Sequence, residues 1–137
     1  MNKKTKWLIY TVLVGLIPIL SRLFVWLITK NGQVEPLNAS DFIAFGLVLH
    51  ISNINETEHL NAMEDRSWKT IQNGLSITFI ALYSVLFTLA LLSVKNNDID
   101  IGIIFTCSIV LAIVSFAISF IVFDRISKLR NTGEGND

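Results

Sequence analysis

Residues 45–56 read FGLVLHISNINE. The stretch opens like a membrane helix and closes like a loop. Its uninterrupted apolar run, residues 42–49, covers only about 12 Å as a helix. A bilayer core is roughly 30 Å thick. Length alone therefore makes the segment interfacial or re-entrant. Whether the chain crosses here decides between three spans and four.

The other spans are plain. Residues 7–29 carry one charge, Arg22, and residues 71–94 and 101–123 carry none. Each reaches about 35 Å as a helix, enough to cross. Composition agrees: the chain is 52% hydrophobic and only 16% charged, whereas soluble domains have about 25% charged residues. An integral membrane protein is expected. The basic start, residues 1–6, is followed by no small-x-small cleavage site, and the apolar run continues to Ile28. It reads as a retained anchor rather than a signal peptide. The six-residue connection 95–100 makes the last two spans an antiparallel hairpin.

Charge placement decides the ambiguous segment, because Lys and Arg near span ends collect on the cytoplasmic side. If the segment crosses, Lys3, Lys4, Lys6, Arg66, Lys69, Arg125, Lys128 and Arg130 lie inside, and only Lys30 and Lys95 lie outside. If it does not, the split is four against six in one orientation and six against four in the other. The eight-to-two division predicts a crossing by residues 39–57. Pro36 precedes it, Asn38 or Ser40 can cap it, and Asp41 sits in its first turn. No strand alternation competes, and open strands cannot satisfy their backbone in lipid. The expected fold is all-α: an integral membrane four-helix bundle with both termini inside, homo-oligomeric, in the cell inner membrane. Residues 1–130 form one transmembrane domain. The polar residues 131–137 form a disordered tail.

The polar residues then need partners. At 100° per residue, Gly46, His50, Asn53 and Thr57 fall within a stripe about 60° wide on helix two. Such a stripe at membrane depth should face protein or water, not lipid. It serves either as helix packing or as the wall of a path on an oligomer axis. His50 could also sense protons. Gly74, Thr78 and Ala81 share a face of helix three; Ser108, Ala112, Ser115 and Ser119 share a face of helix four. Small residues at these spacings let membrane helices approach closely, within one chain or between copies. Arg22 lies about 10 Å from the outer end of helix one, close enough to snorkel or to meet Glu35 or Asp41. The alternative is a charge lining a pore or a headgroup site. Trp7 and Trp68 fit interfacial anchors. Cys107, the single cysteine, reads as a small buried hydrophobe.

The inner loop is acidic, with Glu56, Glu58, Glu64 and Asp65, and suits docking of a soluble protein partner. Glu56 and His59 have the spacing of di-iron bundle ligands, but in one copy only, so no metal is expected. The chain shows no phosphate loop, no nucleophile–base set, no zinc spacing and no basic nucleic-acid patch. No cofactor, enzymatic activity or direct nucleic-acid binding is expected.

Residues 41–56 combine an aspartate, the Gly46-containing apolar run and the SNINE exit. With a lysine-rich start and four spans, the chain resembles small membrane proteins of bacterial anti-phage defence operons, nearest the membrane subunit of the Kiwa system. The resemblance implies an inner-membrane oligomer that senses phage attack and works with a cytoplasmic DNA-binding partner. It carries no individual residue roles. Two functions follow as expectations: a non-enzymatic membrane sensor or scaffold, or an ion channel or membrane-disrupting effector lined by the helix-two stripe.

Overall fold

The computed structural model describes residues 3–30, 32–58 and 66–134. These form four helices: α1 (Lys3–Ile28), α2 (Ala39–Glu58), α3 (Arg66–Ser93) and α4 (Ile101–Glu134). Two are capped by side chains at their starts. The Asn38 carboxamide oxygen accepts from the Ser40 amide at 3.0 Å, and the Asp100 carboxylate accepts from the Gly102 amide at 2.9 Å. Each cap satisfies an amide that the first helical turn leaves without an intrahelical acceptor.

Side-chain contacts give the helix directions. Trp7 meets Ser52 while Arg22 meets Asp41, so α1 and α2 are antiparallel. Glu58 meets Asn73 and His50 meets Ser76, so α2 and α3 are antiparallel too. His50 meets Ser115 and Asn53 meets Ser119, so α2 and α4 run parallel. The result is an up-down-up-down bundle. Helices α2 and α4 form its short diagonal, each packing against all the others, while the backbones of α1 and α3 stay apart among the described residues.

Three of the four helices are long and apolar enough to cross a membrane: α1 over Thr5–Ile28, α3 over Ser67–Ser93 and α4 over Ile101–Lys128. Their apolar surface faces outward. Tyr10, Phe24, Leu27, Ile77, Val85, Ile113 and Ile121 are all exposed. An aqueous protein does not present such a belt; lipid is the solvent that suits it. The chain is a membrane-embedded protein. Helix α2 is the converse: nine of its 20 residues are buried, among them Asp41, His50, Asn53 and Thr57. The polar helix packs against all three apolar ones. That placement accounts for the short apolar run at 42–49, because α2 meets protein where the others meet lipid.

Packing is dense where glycine permits it. A Cβ on Gly15 would lie 2.8 Å from Phe45 Cδ2, so α1 can rest on α2 only at a glycine. Beside that contact, Phe45, Leu49 and Ala112 form one apolar cluster with Leu16, Ile19 and Phe42. Val122 and Ile126 form a second, at the other end, with Trp68 and Ile118.

Helix α3 begins at Arg66 rather than at 71, and α4 continues to Glu134 rather than ending at 123. Residues 131–134, assigned by composition to a disordered tail, continue α4; residues 135–137 lie outside the described residues. Adding a turn to an existing helix is far less costly than nucleating one, so polar residues can extend α4 beyond its apolar part. Cys107 is also corrected: it is exposed, not buried. In so small a bundle most of α4's apolar surface points outward, and lipid takes the place of a core.

Candidate functional site, a buried polar seam

The most concentrated chemistry lies along α2, where it meets α3 and α4. His50 is 0% exposed. Its Nδ1 lies 3.3 Å from the Ser76 hydroxyl on α3, and its Nε2 lies 2.8 Å from the Ser115 hydroxyl on α4. The Tyr83 hydroxyl is 2.6 Å from the same Ser115 oxygen. A neutral imidazole donates from one nitrogen and accepts at the other. One consistent order runs Tyr83 to Ser115 to His50 to Ser76, giving the phenol, the Ser115 hydroxyl and the ring N–H an acceptor each. Gln72 Nε2 donates to Ser76 at 3.5 Å and extends the chain toward the end bearing Glu58. Phe79 covers the face of the imidazole, with ring centroids 4.8 Å apart.

Gly46 makes room for this cluster. A Cβ there would fall onto Cζ and the hydroxyl of Tyr83. The phenol therefore reaches Ser115 across a position that only glycine leaves open. One turn further along α2, Asn53 Nδ2 donates to Ser119 Oγ at 2.9 Å. Thr57 donates back to the Asn53 carbonyl at 2.7 Å. All four stripe residues, Gly46, His50, Asn53 and Thr57, are thus buried between helices of the same chain.

No family model, no curated protein and no solved structure matches the chain. Function must be read from the site alone.

The other expected residues divide. Ser108, Ala112, Ser115 and Ser119 all lie buried on the inward face of α4. Gly74, Thr78 and Ala81 do not pack within the chain; they are exposed, and nothing lies within 4 Å of a Cβ placed on Gly74. The face of α3 that packs is half a turn away and consists of Gln72, Ser76, Phe79 and Tyr83. Polar side chains need the polar helix as a partner, whereas Gly and Ala lose little by facing lipid. Thr78 is satisfied on the outer face by donating to the Gly74 carbonyl at 2.9 Å, a bond that needs no neighbour.

Arg22 pairs with Asp41 across α1 and α2, through Nε and Oδ2. Asp41 is 8% exposed, so this ion pair is largely enclosed. At the opposite end, Trp7 Nε1 donates to Ser52 at 3.0 Å, and its ring stacks on Phe123 at 3.8 Å. Arg125 lies over the Trp68 ring, 4.5 Å from its centroid. Both tryptophans thus tie helices together near the charged end. Of the expected docking residues, Glu58 is exposed and accepts from Asn73 Nδ2 at 2.8 Å. Glu56 is half-buried, and Glu64, Asp65 and His59 lie outside the described residues.

Sequence reasoning missed Gln72, Ser76, Phe79, Tyr83 and Asn73. A signal is present: Gln72, Ser76 and Tyr83 share one face at helical spacing. It is obscured by the small-residue face opposite, which looks more like a packing motif.

The seam holds helices together through neutral hydrogen bonds. In membrane proteins such bonds average about 0.6 kcal/mol and reach at most about 1.7 kcal/mol. His50→Leu should therefore cost about 1–2 kcal/mol, because Ser76 and Ser115 can turn to the carbonyl four residues back. Ser108 already does this, donating to Ile104 at 2.8 Å. Reversible unfolding in mixed micelles measures the loss.

Proposed function

We propose that this chain is a non-enzymatic scaffold or sensor subunit of the cell inner membrane. It crosses four times with both helical ends inside, assembles with further copies of itself, and docks a soluble cytoplasmic protein. One observation carries the reading: the polar side chains of α2 are engaged with α1, α3 and α4 inside the bundle, with His50, Asn53 and Thr57 each no more than 1% exposed. They serve cohesion. What remains for recognition is the end where α1 and α3 begin and α2 and α4 finish, which carries Lys6, Glu58, Lys69, Arg125 and Lys128. The outward face of Gly74, Thr78 and Ala81 is open to a second copy. The anti-phage resemblance supplies the class of partner, a cytoplasmic protein that handles DNA.

The channel reading requires the stripe to leave α3 and α4 before it could line any path. Co-purification with the product of an adjacent gene tests the scaffold. Neutralising the inner loop together, with Glu56→Gln, Glu58→Gln, Glu64→Gln and Asp65→Asn, should reduce recovery of the partner at least tenfold and leave the bundle's unfolding temperature unchanged. Undiminished recovery removes the loop as the dock. Ion flux through liposomes carrying the native chain, absent from an Asn53→Leu chain, favours the channel instead.

A further inference from the structure

The inner half of the seam holds two amide oxygens that no protein donor reaches among the described residues: Asn53 Oδ1 on α2 and Asn73 Oδ1 on α3. Both atoms are buried, and Asn53 as a whole is 1% exposed. A buried acceptor without a donor costs about 1–3 kcal/mol. Reversing the Asn53 amide does not remove that cost. Its oxygen would then accept from the Ser119 hydroxyl, and its NH₂ would be the unpaired half. Thr57 cannot supply the donor, because its only hydroxyl proton goes to the Asn53 backbone carbonyl.

The surroundings are polar on all three helices. Thr57, Gln72 and Ser119 are buried at this level, and Gln72 leads to His50 through Ser76. A site with several polar groups suits water, which forms about three hydrogen bonds when buried. It suits a cation poorly. Amide and hydroxyl oxygens carry no net charge; of the two carboxylates at this end of α2, Glu58 is exposed and already bonded to Asn73 Nδ2, and Glu56 is half-buried. A cation held by these neutral oxygens alone would be poorly compensated.

We propose that ordered water is built into the α2–α3 seam, donating to Asn53 Oδ1 and Asn73 Oδ1. This water lies about one helical turn from His50 along α2, next to an imidazole whose two ring nitrogens are bonded directly to protein. Asn53 is then the level at which the seam changes from water-bridged to directly bonded. The inference stands on these two oxygens and is independent of the scaffold reading.

X-ray hydroxyl-radical labelling of the full chain in nanodiscs, after rapid mixing with H₂¹⁸O, tests it. Oxidation carrying ¹⁸O should appear at His50 despite its burial, and later than at Leu37 in the exposed outer loop. Asn53→Leu should lower the His50 signal at least fivefold and leave Leu37 unchanged. Asn73→Leu should lower it as well, which covers the case in which Asn53→Leu fails to fold. A native chain without label at His50 overturns the proposal. So does an unfolding temperature that rises with sodium or potassium but not with choline, which would place a cation on these oxygens.

Discussion

Gly46→Ala should destabilise the bundle by about 3 kcal/mol, at the upper end of what one added methyl does in a packed core. The new Cβ falls on the Tyr83 ring, and that ring cannot withdraw. Tyr83 is 0% exposed, and its hydroxyl is held by Ser115. Pushing it aside breaks the link from Tyr83 through Ser115 to His50. The sign of the effect depends on the ring. Within a helix, alanine is intrinsically better than glycine by about 0.8–1.0 kcal/mol. In a Tyr83→Leu background the same Gly46→Ala change should therefore be neutral or mildly stabilising. A double-mutant cycle by reversible unfolding in mixed micelles reads the difference as a coupling between the two positions. Equal destabilisation in both backgrounds would mean that the close approach of α2 and α3 is not what glycine serves.

Arg22→Leu should cost about 2–3 kcal/mol. Breaking a buried ion pair from one side costs about 3–5 kcal/mol, because the other charge stays behind. Two features place this pair below that range. The Arg22 side chain is 29% exposed, and Asp41 sits in the first turn of α2, where the helix dipole favours an anion. Replacing both partners should recover most of the loss, since apolar substitutes of similar size are often neutral or better. Arg22→Leu with Asp41→Leu should lie within about 1 kcal/mol of the native chain. Denaturation of the two singles and the double checks this. A double variant as unstable as the sum of the singles would mean that each charge has a separate partner.

The helices are legible where apolar length is the signal. Residues 7–29, 71–94 and 101–123 are helical throughout but for single residues at two ends. Residues 39–57 read as helical from charge placement, which says nothing about packing. The structure adds that α2 packs against all three other helices, and this makes its polarity intelligible. The serine face of α4 is visible because three serines at helical spacing gain nothing by facing lipid. The α3 face misleads because small residues invite packing by shape, whereas here polarity selects the opposite side. Ser76 and Tyr83 are ordinary in a membrane helix until His50 is placed between them. That meeting is a tertiary fact, set by the 26 residues separating His50 from Ser76 along the chain, and no local pattern carries it.

A helix that needs protein around it is also a problem for biogenesis. The three outer helices are apolar enough to partition into lipid singly. In a four-span arrangement α2 is not: Asp41, His50 and Asn53 each oppose insertion of an isolated segment. It therefore enters lipid in company. Its first available companion is α1, already synthesised and carrying Arg22 opposite Asp41. The ion pair then acts first as an escort, cancelling two charges before either must rest in lipid. His50 and Asn53 wait longest for their partners. Ser115 and Ser119 belong to α4, so the seam closes only after α4 has been made.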